Sequence, residues 1–116
     1  MATFAKMVLS GSTNGKGIKV AAVSSPGTTI HTAVTGTSSW DEIWIYAYNS
    51  NSVAENLTLQ WGGTSSPDDS ITVTLQPYQG LMLVVPGLVL QNSLVLKAFA
   101  TDANVVIIHG FVNRIT

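Results

Sequence analysis

A chain of 116 residues with a formal net charge of −1 is long enough for one domain with a real core. It offers phosphate backbones and anionic lipid no electrostatic attraction. It has no cysteine, which excludes disulfides, thiolate chemistry and Cys-ligated zinc. Hydrophobic residues make up 46% and charged residues only 9%, against a usual charged share of about 25%; that balance is opposite to the one that keeps a chain disordered.

Met1 to Ser10 has no basic run leading into an unbroken apolar stretch, so no secretory signal is expected and synthesis in a cytoplasm is. Turn residues then recur at short intervals between β-branched and aromatic runs, the pattern of an all-β sandwich or barrel. The expected strands are Gly17 to Val23, Thr28 to Thr35, Asp41 to Asn49, Asn56 to Trp61, Ser70 to Leu75, Gly80 to Val85, Ser93 to Ala100 and Val105 to Arg114. About eight strands with uneven connections predict a single-domain, two-sheet sandwich of jelly-roll type. Residues 1–16 read as an N-terminal arm. Asn14-Gly15-Lys16-Gly17 and Ser24-Ser25-Pro26-Gly27 read as reversals, and Pro86-Gly87 as a kink or turn. Leu81 to Leu90, broken by that pair, falls well short of the roughly 20 residues a membrane span needs.

The strands differ in how many faces are apolar. Ile71, Val73 and Leu75 alternate with Thr72, Thr74 and Gln76, and Leu57, Leu59 and Trp61 alternate with Thr58, Gln60 and Gly62; such strands can face water. In Asp41 to Asn49, by contrast, Ile43, Ile45 and Ala47 alternate with Trp44, Tyr46 and Tyr48, and the last strand is apolar at both parities. Strands apolar on both sides are covered on both sides, yet each sheet of a two-layer sandwich has one core face. If the two kinds of strand segregate, the domain has one wet sheet and one dry, docking sheet. The candidate interface, with another subunit or a larger body, is Trp44, Tyr46, Tyr48, Met82, Val84, Val106, Ile108 and Val112.

Chemistry-bearing motifs are weak by comparison. Gly11-Ser12-Thr13-Asn14-Gly15-Lys16-Gly17 is one residue short of a phosphate loop and runs into a strand instead of a helix. His31 and His109 have no partners at motif spacing and read as hydrogen-bonded structural residues. Asp68, Asp69 and Asp102 read as solvated turn carboxylates rather than calcium ligands. Asn56-Leu57-Thr58 matches a glycosylation sequon that only a secretory route would use. Asp41 and Glu42, adjacent on a strand, point to opposite faces and cannot form an acid and base pair. No enzyme activity, cofactor or metal is expected. The aromatic stripe leaves open stacking of sugar rings, anchoring of a protein interface, or simple core packing.

Leu9-Ser10-Gly11-Ser12-Thr13, Gly17-Ile18-Lys19-Val20-Ala21-Ala22, Ile30-His31-Thr32-Ala33, Asp41-Glu42-Ile43-Trp44, Leu57-Thr58-Leu59-Gln60-Trp61-Gly62-Gly63, Val85-Pro86-Gly87-Leu88-Val89-Leu90, Ala98-Phe99-Ala100 and Gly110-Phe111-Val112-Asn113-Arg114-Ile115 together resemble a family of small structural proteins of tailed bacteriophages. The resemblance implies a capsid decoration, or cement, protein. Such a protein is a jelly-roll module, commonly a homotrimer, that binds the major capsid protein at capsomer junctions on the outside of the virion after synthesis in the host bacterial cytoplasm. It further implies that residues 1–16 reach a neighbouring subunit. A head-to-tail or tail component and a carbohydrate-binding sandwich are the alternatives; nucleic acid and membrane are not expected as partners.

Overall fold

The computed structural model describes residues 2–116. Its nine strands are β1 (Phe4–Val8), β2 (Ile18–Lys19), β3 (Thr28–Thr32), β4 (Trp40–Asn49), β5 (Glu55–Trp61), β6 (Ser70–Leu75), β7 (Met82–Leu90), β8 (Val95–Ala100) and β9 (Val106–Ile115). All pairings are antiparallel. A first sheet runs β1-β9-β4-β7, with β2 also on β9, and a second runs β3-β8-β5-β6. With β2 at the edge, the orders β2-β9-β4-β7 and β3-β8-β5-β6 are those of a jelly roll, in which strands distant in sequence become neighbours. The expected all-β, two-sheet sandwich is therefore what the chain builds.

Between the sheets lies a core fed from both. Ile43, Ile45 and Ala47 of β4, Val106, Ile108 and Val112 of β9 and Val85 of β7 meet Leu57 and Leu59 of β5, Leu96 and Ala98 of β8 and Ile30 of β3. The period of two in β4 appears directly in its burial, with odd-numbered residues from Asp41 to Asn49 buried and even-numbered ones partly or fully exposed.

Two elements differ from the sequence expectation. Phe4–Val8, within the residues read as an arm, forms a strand paired to β9 from Phe4↔Ile115 to Val8↔Phe111. Five residues are too few for alternation to stand out, and the partner lies at the far end of the chain. The second difference is Pro86-Gly87, which does not end β7. Trp44 pairs with Pro86 and Ile43 with Leu88, so Gly87 is the extra residue of a bulge, and it adopts φ +81°, a conformation glycine takes without steric cost. Pro86 is tolerated because β7 is an edge strand and need not donate outward.

Candidate functional site

The strands apolar on both faces, β4 and β9, lie side by side in the first sheet. The alternating strands β5 and β6 lie together in the second. The first sheet therefore carries a broad apolar outer surface, because residues directly opposite in an antiparallel pair share a face. From β4 come Trp40, Trp44, Tyr46 and Tyr48; across the register from β9 come Ile115, Phe111 and Ile107. β1 adds Phe4 and Val8, and β7 adds Leu83 opposite Tyr46, Pro86 opposite Trp44 and Val89 opposite Glu42. Phe4 is 72% exposed, Trp40 43%, and Leu83 and Val89 both 49%.

The centre of this surface is held in place. The Trp44 and Phe111 rings stack with centroids 5.9 Å apart and planes 12° from parallel. The indole Nε1–H donates to Glu42 Oε1 at 2.8 Å, and Asn113 Nδ2–H donates to the same oxygen at 3.0 Å. These donors hold the Glu42 carboxyl below its usual range, the indole contributing most. Trp44 also lies against Gly87, where a Cβ would come within 3.0 Å of Cζ2. Lys6 Nζ sits 4.4 Å from the Phe111 ring centroid, a cation–π distance. The two charged groups nearest the centre are thus already engaged, and most of the surface around them is apolar. Covering the exposed part of one large side chain contributes about 1 kcal/mol, so covering several is comparable with the margin by which domains are stable.

The second sheet's outer face is of the opposite kind. Thr58 and Thr72 share a hydrogen bond of 3.2 Å, and Thr74 Oγ1 donates to Asn56 Oδ1 at 2.9 Å. An open groove of about 450 Å³ there is lined by Ser25, Thr58, Gln60, Thr64, Ser66, Ser70 and Thr72 with Pro67 and Phe99. Gln60 is buried because its amide holds the corner before β3, accepting from Gly27 N–H at 2.8 Å and donating to Ser25 Oγ at 2.8 Å.

The structure brings one set of chemistry-bearing residues together. Asp41, fully buried, meets Arg114 Nε at 2.7 Å and Nη2 at 2.9 Å, His31 Nε2 at 2.7 Å and the Val34 backbone N–H at 3.1 Å. Burial raises its carboxyl's pKa, but the hydrogen bonds from Arg114 and His31 and the charge of Arg114 outweigh that and bring it below the usual range. His31 Nδ1 accepts the Ser10 backbone N–H at 3.0 Å, and the Ser10 hydroxyl accepts from Thr32 N–H at 2.7 Å. In a serine triad the hydroxyl itself donates to imidazole; here a backbone amide takes that place, and the network joins β3, β4, β9 and the segment after β1. His31 is buried and hydrogen-bonded through both ring nitrogens, and Asp41 and Glu42 do face opposite ways. Every buried side-chain nitrogen or oxygen among the described residues has a partner, including Glu55, which accepts from Asp102 N–H at 2.8 Å and Asn51 Nδ2–H at 3.1 Å.

Of the eight candidate interface residues, Trp44, Tyr46 and Tyr48 lie on the outer face. Val106, Ile108 and Val112 do not: all three are fully buried in the core, and the outward residues of β9 are Ile107, His109, Phe111, Asn113 and Ile115. The polar pair His109 and Asn113 is the sequence signal that marks that parity. Val84 is the extra residue of a second bulge in β7 and packs against the core. Met82 is 37% exposed, opposite Ala47 at the sheet margin. Phe111, Leu83, Val89, Phe4 and Ile115 belong to the face and were not among the candidates, since only strand pairing places them beside Trp44. Among the described residues no group of three or more His, Asp or Glu could hold a metal ion, and no helix is long and apolar enough to cross a membrane. Compared with known proteins, the chain matches no family model, no curated protein and no solved structure.

Proposed function

We propose that this chain is a non-catalytic structural protein of a bacteriophage virion, a decoration module that self-associates, trimers being favoured, and binds the outer surface of the capsid through the apolar face of its first sheet. The observation that carries the docking part of the reading is the unequal character of the two sheets. One outer face is hydroxyl-rich and suited to water, and the other holds stacked and exposed aromatics, with Glu42 and Lys6 engaged by the groups beside them. Contiguous apolar surface of this kind marks interfaces on soluble proteins. The phage setting rests on the sequence resemblance. A shell presents many equivalent sites, so a modest interface per copy suffices when an oligomer engages several at once.

Gold labelling of the parent virion tests the reading. Label distributed over the whole shell, together with loss of heat resistance in particles stripped of the chain, is expected. Label confined to one vertex would replace it with a head-to-tail component. Glycan binding abolished by Trp44→Ala with self-association intact would replace it with a carbohydrate-binding module.

A further inference from the structure

β1 differs from the other eight strands in that none of its five side chains is buried. Phe4 is 72% exposed, Val8 48% and Met7 38%, although the strand is apolar apart from Lys6. Its outer edge is unpaired, and unpaired apolar edges are normally blunted or covered. The jelly roll does not need it, because β2 lies in line with it on the same edge of β9, at Ile18↔Ile108 and Lys19↔Ile107. What holds it is pairing to β9, flanked by two hydrogen bonds between Thr3 and Thr116 of 2.8 and 2.9 Å.

The chain after β1 is fixed independently of it. Leu9 is 1% exposed, Ser10 N–H donates to His31 Nδ1 and Gly11 N–H donates to the Ile30 carbonyl. A pivot at Val8 and Leu9 therefore frees residues 2–8 and disturbs no core contact. Extended, that segment spans about 23 Å, enough to cross to an adjoining molecule of this size.

We propose that β1 is an exchangeable strand: the edge of β9 from Phe111 to Ile115 is filled by the Phe4–Val8 segment of a second copy of this chain. Every contact β1 makes with its own β9 is available on another copy's β9, including Lys6 over Phe111, so exchange forfeits none of them. It also adds something. A strand bridging two bodies has its exposed apolar flanks covered by both, whereas in a single chain the outer edge of Phe4, Met7 and Val8 stays wet. This narrows the arm that the resemblance implies to one strand and one seat on a neighbouring copy, and it rests on the decoration reading's claim of self-association.

The absence of cysteine permits a clean test. Thr3 and Thr116 form a hydrogen-bonded pair, so the next pair, Phe4 and Ile115, is of the non-hydrogen-bonded kind with Cα atoms about 4.5 Å apart, within disulfide reach. The single variants Phe4→Cys and Ile115→Cys, one carrying a mass tag, are unfolded, mixed, refolded and oxidised. Exchange predicts a disulfide-linked heterodimer of tagged and untagged chains as the main product. The double variant Phe4→Cys/Ile115→Cys then gives covalent dimers or larger species on a non-reducing gel. Only intramolecular disulfide in the double variant, with no heterodimer from the mixture, overturns the exchange. Light scattering on the same samples separates the two readings: an assembly with intramolecular disulfides retains self-association without exchange, and a monomer removes both. Should the cysteines at the termini disturb folding, Val8→Cys with Phe111→Cys repeats the test at the other end of the pairing.

Discussion

Asp41 and Arg114 face each other across β4 and β9 as a two-bond ion pair, Oδ1 to Nε at 2.7 Å and Oδ2 to Nη2 at 2.9 Å. The carboxylate is fully buried and the guanidinium 27% exposed. The two partners are therefore unequal: deprived of the other, the arginine can be solvated and the aspartate cannot.

Arg114→Met leaves a buried charge with only His31 and the Val34 amide for compensation. Removing one partner of a buried pair costs about 3 kcal/mol or more, and for a domain of this size each kcal/mol corresponds to about 4 °C in melting temperature. The variant should melt more than about 10 °C below the parent by differential scanning calorimetry. A loss under about 2 °C would show that the pair contributes little.

Stability should also fall in acid, with a defined sign. The folded Asp41 carboxyl lies below its usual range, so its unfolded counterpart, near 3.9, takes up a proton first as the pH drops. The contribution is complete above about pH 5 and is lost progressively as the pH falls through about 4 toward the folded value. Melting temperatures at pH 7, 5 and 3 should show this limb, and Asp41→Asn, less stable at pH 7, should flatten it.

Tyr46→Asp and Leu83→Asp place charge on the outer face without touching the core. Both should fold, with melting within about 4 °C of the parent, and both should associate less in sedimentation velocity. Association of the parent should persist in high salt, since screening weakens charge pairing and not apolar burial. Val106→Asp, by contrast, buries a charge and should not yield folded protein. Val84→Asp, packed against the core, should lose fold stability as well as association.

Gly110→Ala should destabilise strongly although glycine there has no unusual φ. A Cβ at this position would run into the backbone carbonyl of Trp44, which cannot move without parting β4 from β9. Overpacking of this kind costs about 1 to 3 kcal/mol, measurable as a shift in the urea midpoint. An unchanged midpoint would mean that the pairing at Ile45↔Gly110 gives way easily.

Much of the fold was legible because β-strands write their period into the chain. Each of the eight expected strands has a counterpart, although Gly17 to Val23 shrinks to Ile18–Lys19 and Gly80 to Val85 becomes Met82–Leu90, and the contrast between Ile71-Thr72-Val73-Thr74 and Ile43-Trp44-Ile45-Tyr46 foreshadowed two unlike sheets. Parity within an apolar strand was the weak point. In β9 both parities look greasy, and a shift of one residue exchanges core for surface; Val106, Ile108 and Val112 were assigned to the wrong side although His109 and Asn113 point to the right one. In β4 the same ambiguity left the face of Trp44 open, and only the packing of Ile43 and Ile45 against the second sheet resolved it.

By itself, the order of residues determined most of the strand content, most turn positions and the surplus of apolar area, because these follow from local alternation and from the conformations that Gly, Pro and Asn favour. Which surplus faces outward, that Phe4–Val8 pairs with the opposite end of the chain, and that Ser10, His31, Asp41 and Arg114 converge were decided only by the tertiary structure. Those outcomes depend on contacts between residues tens of positions apart, and no local pattern encodes the register that brings them together.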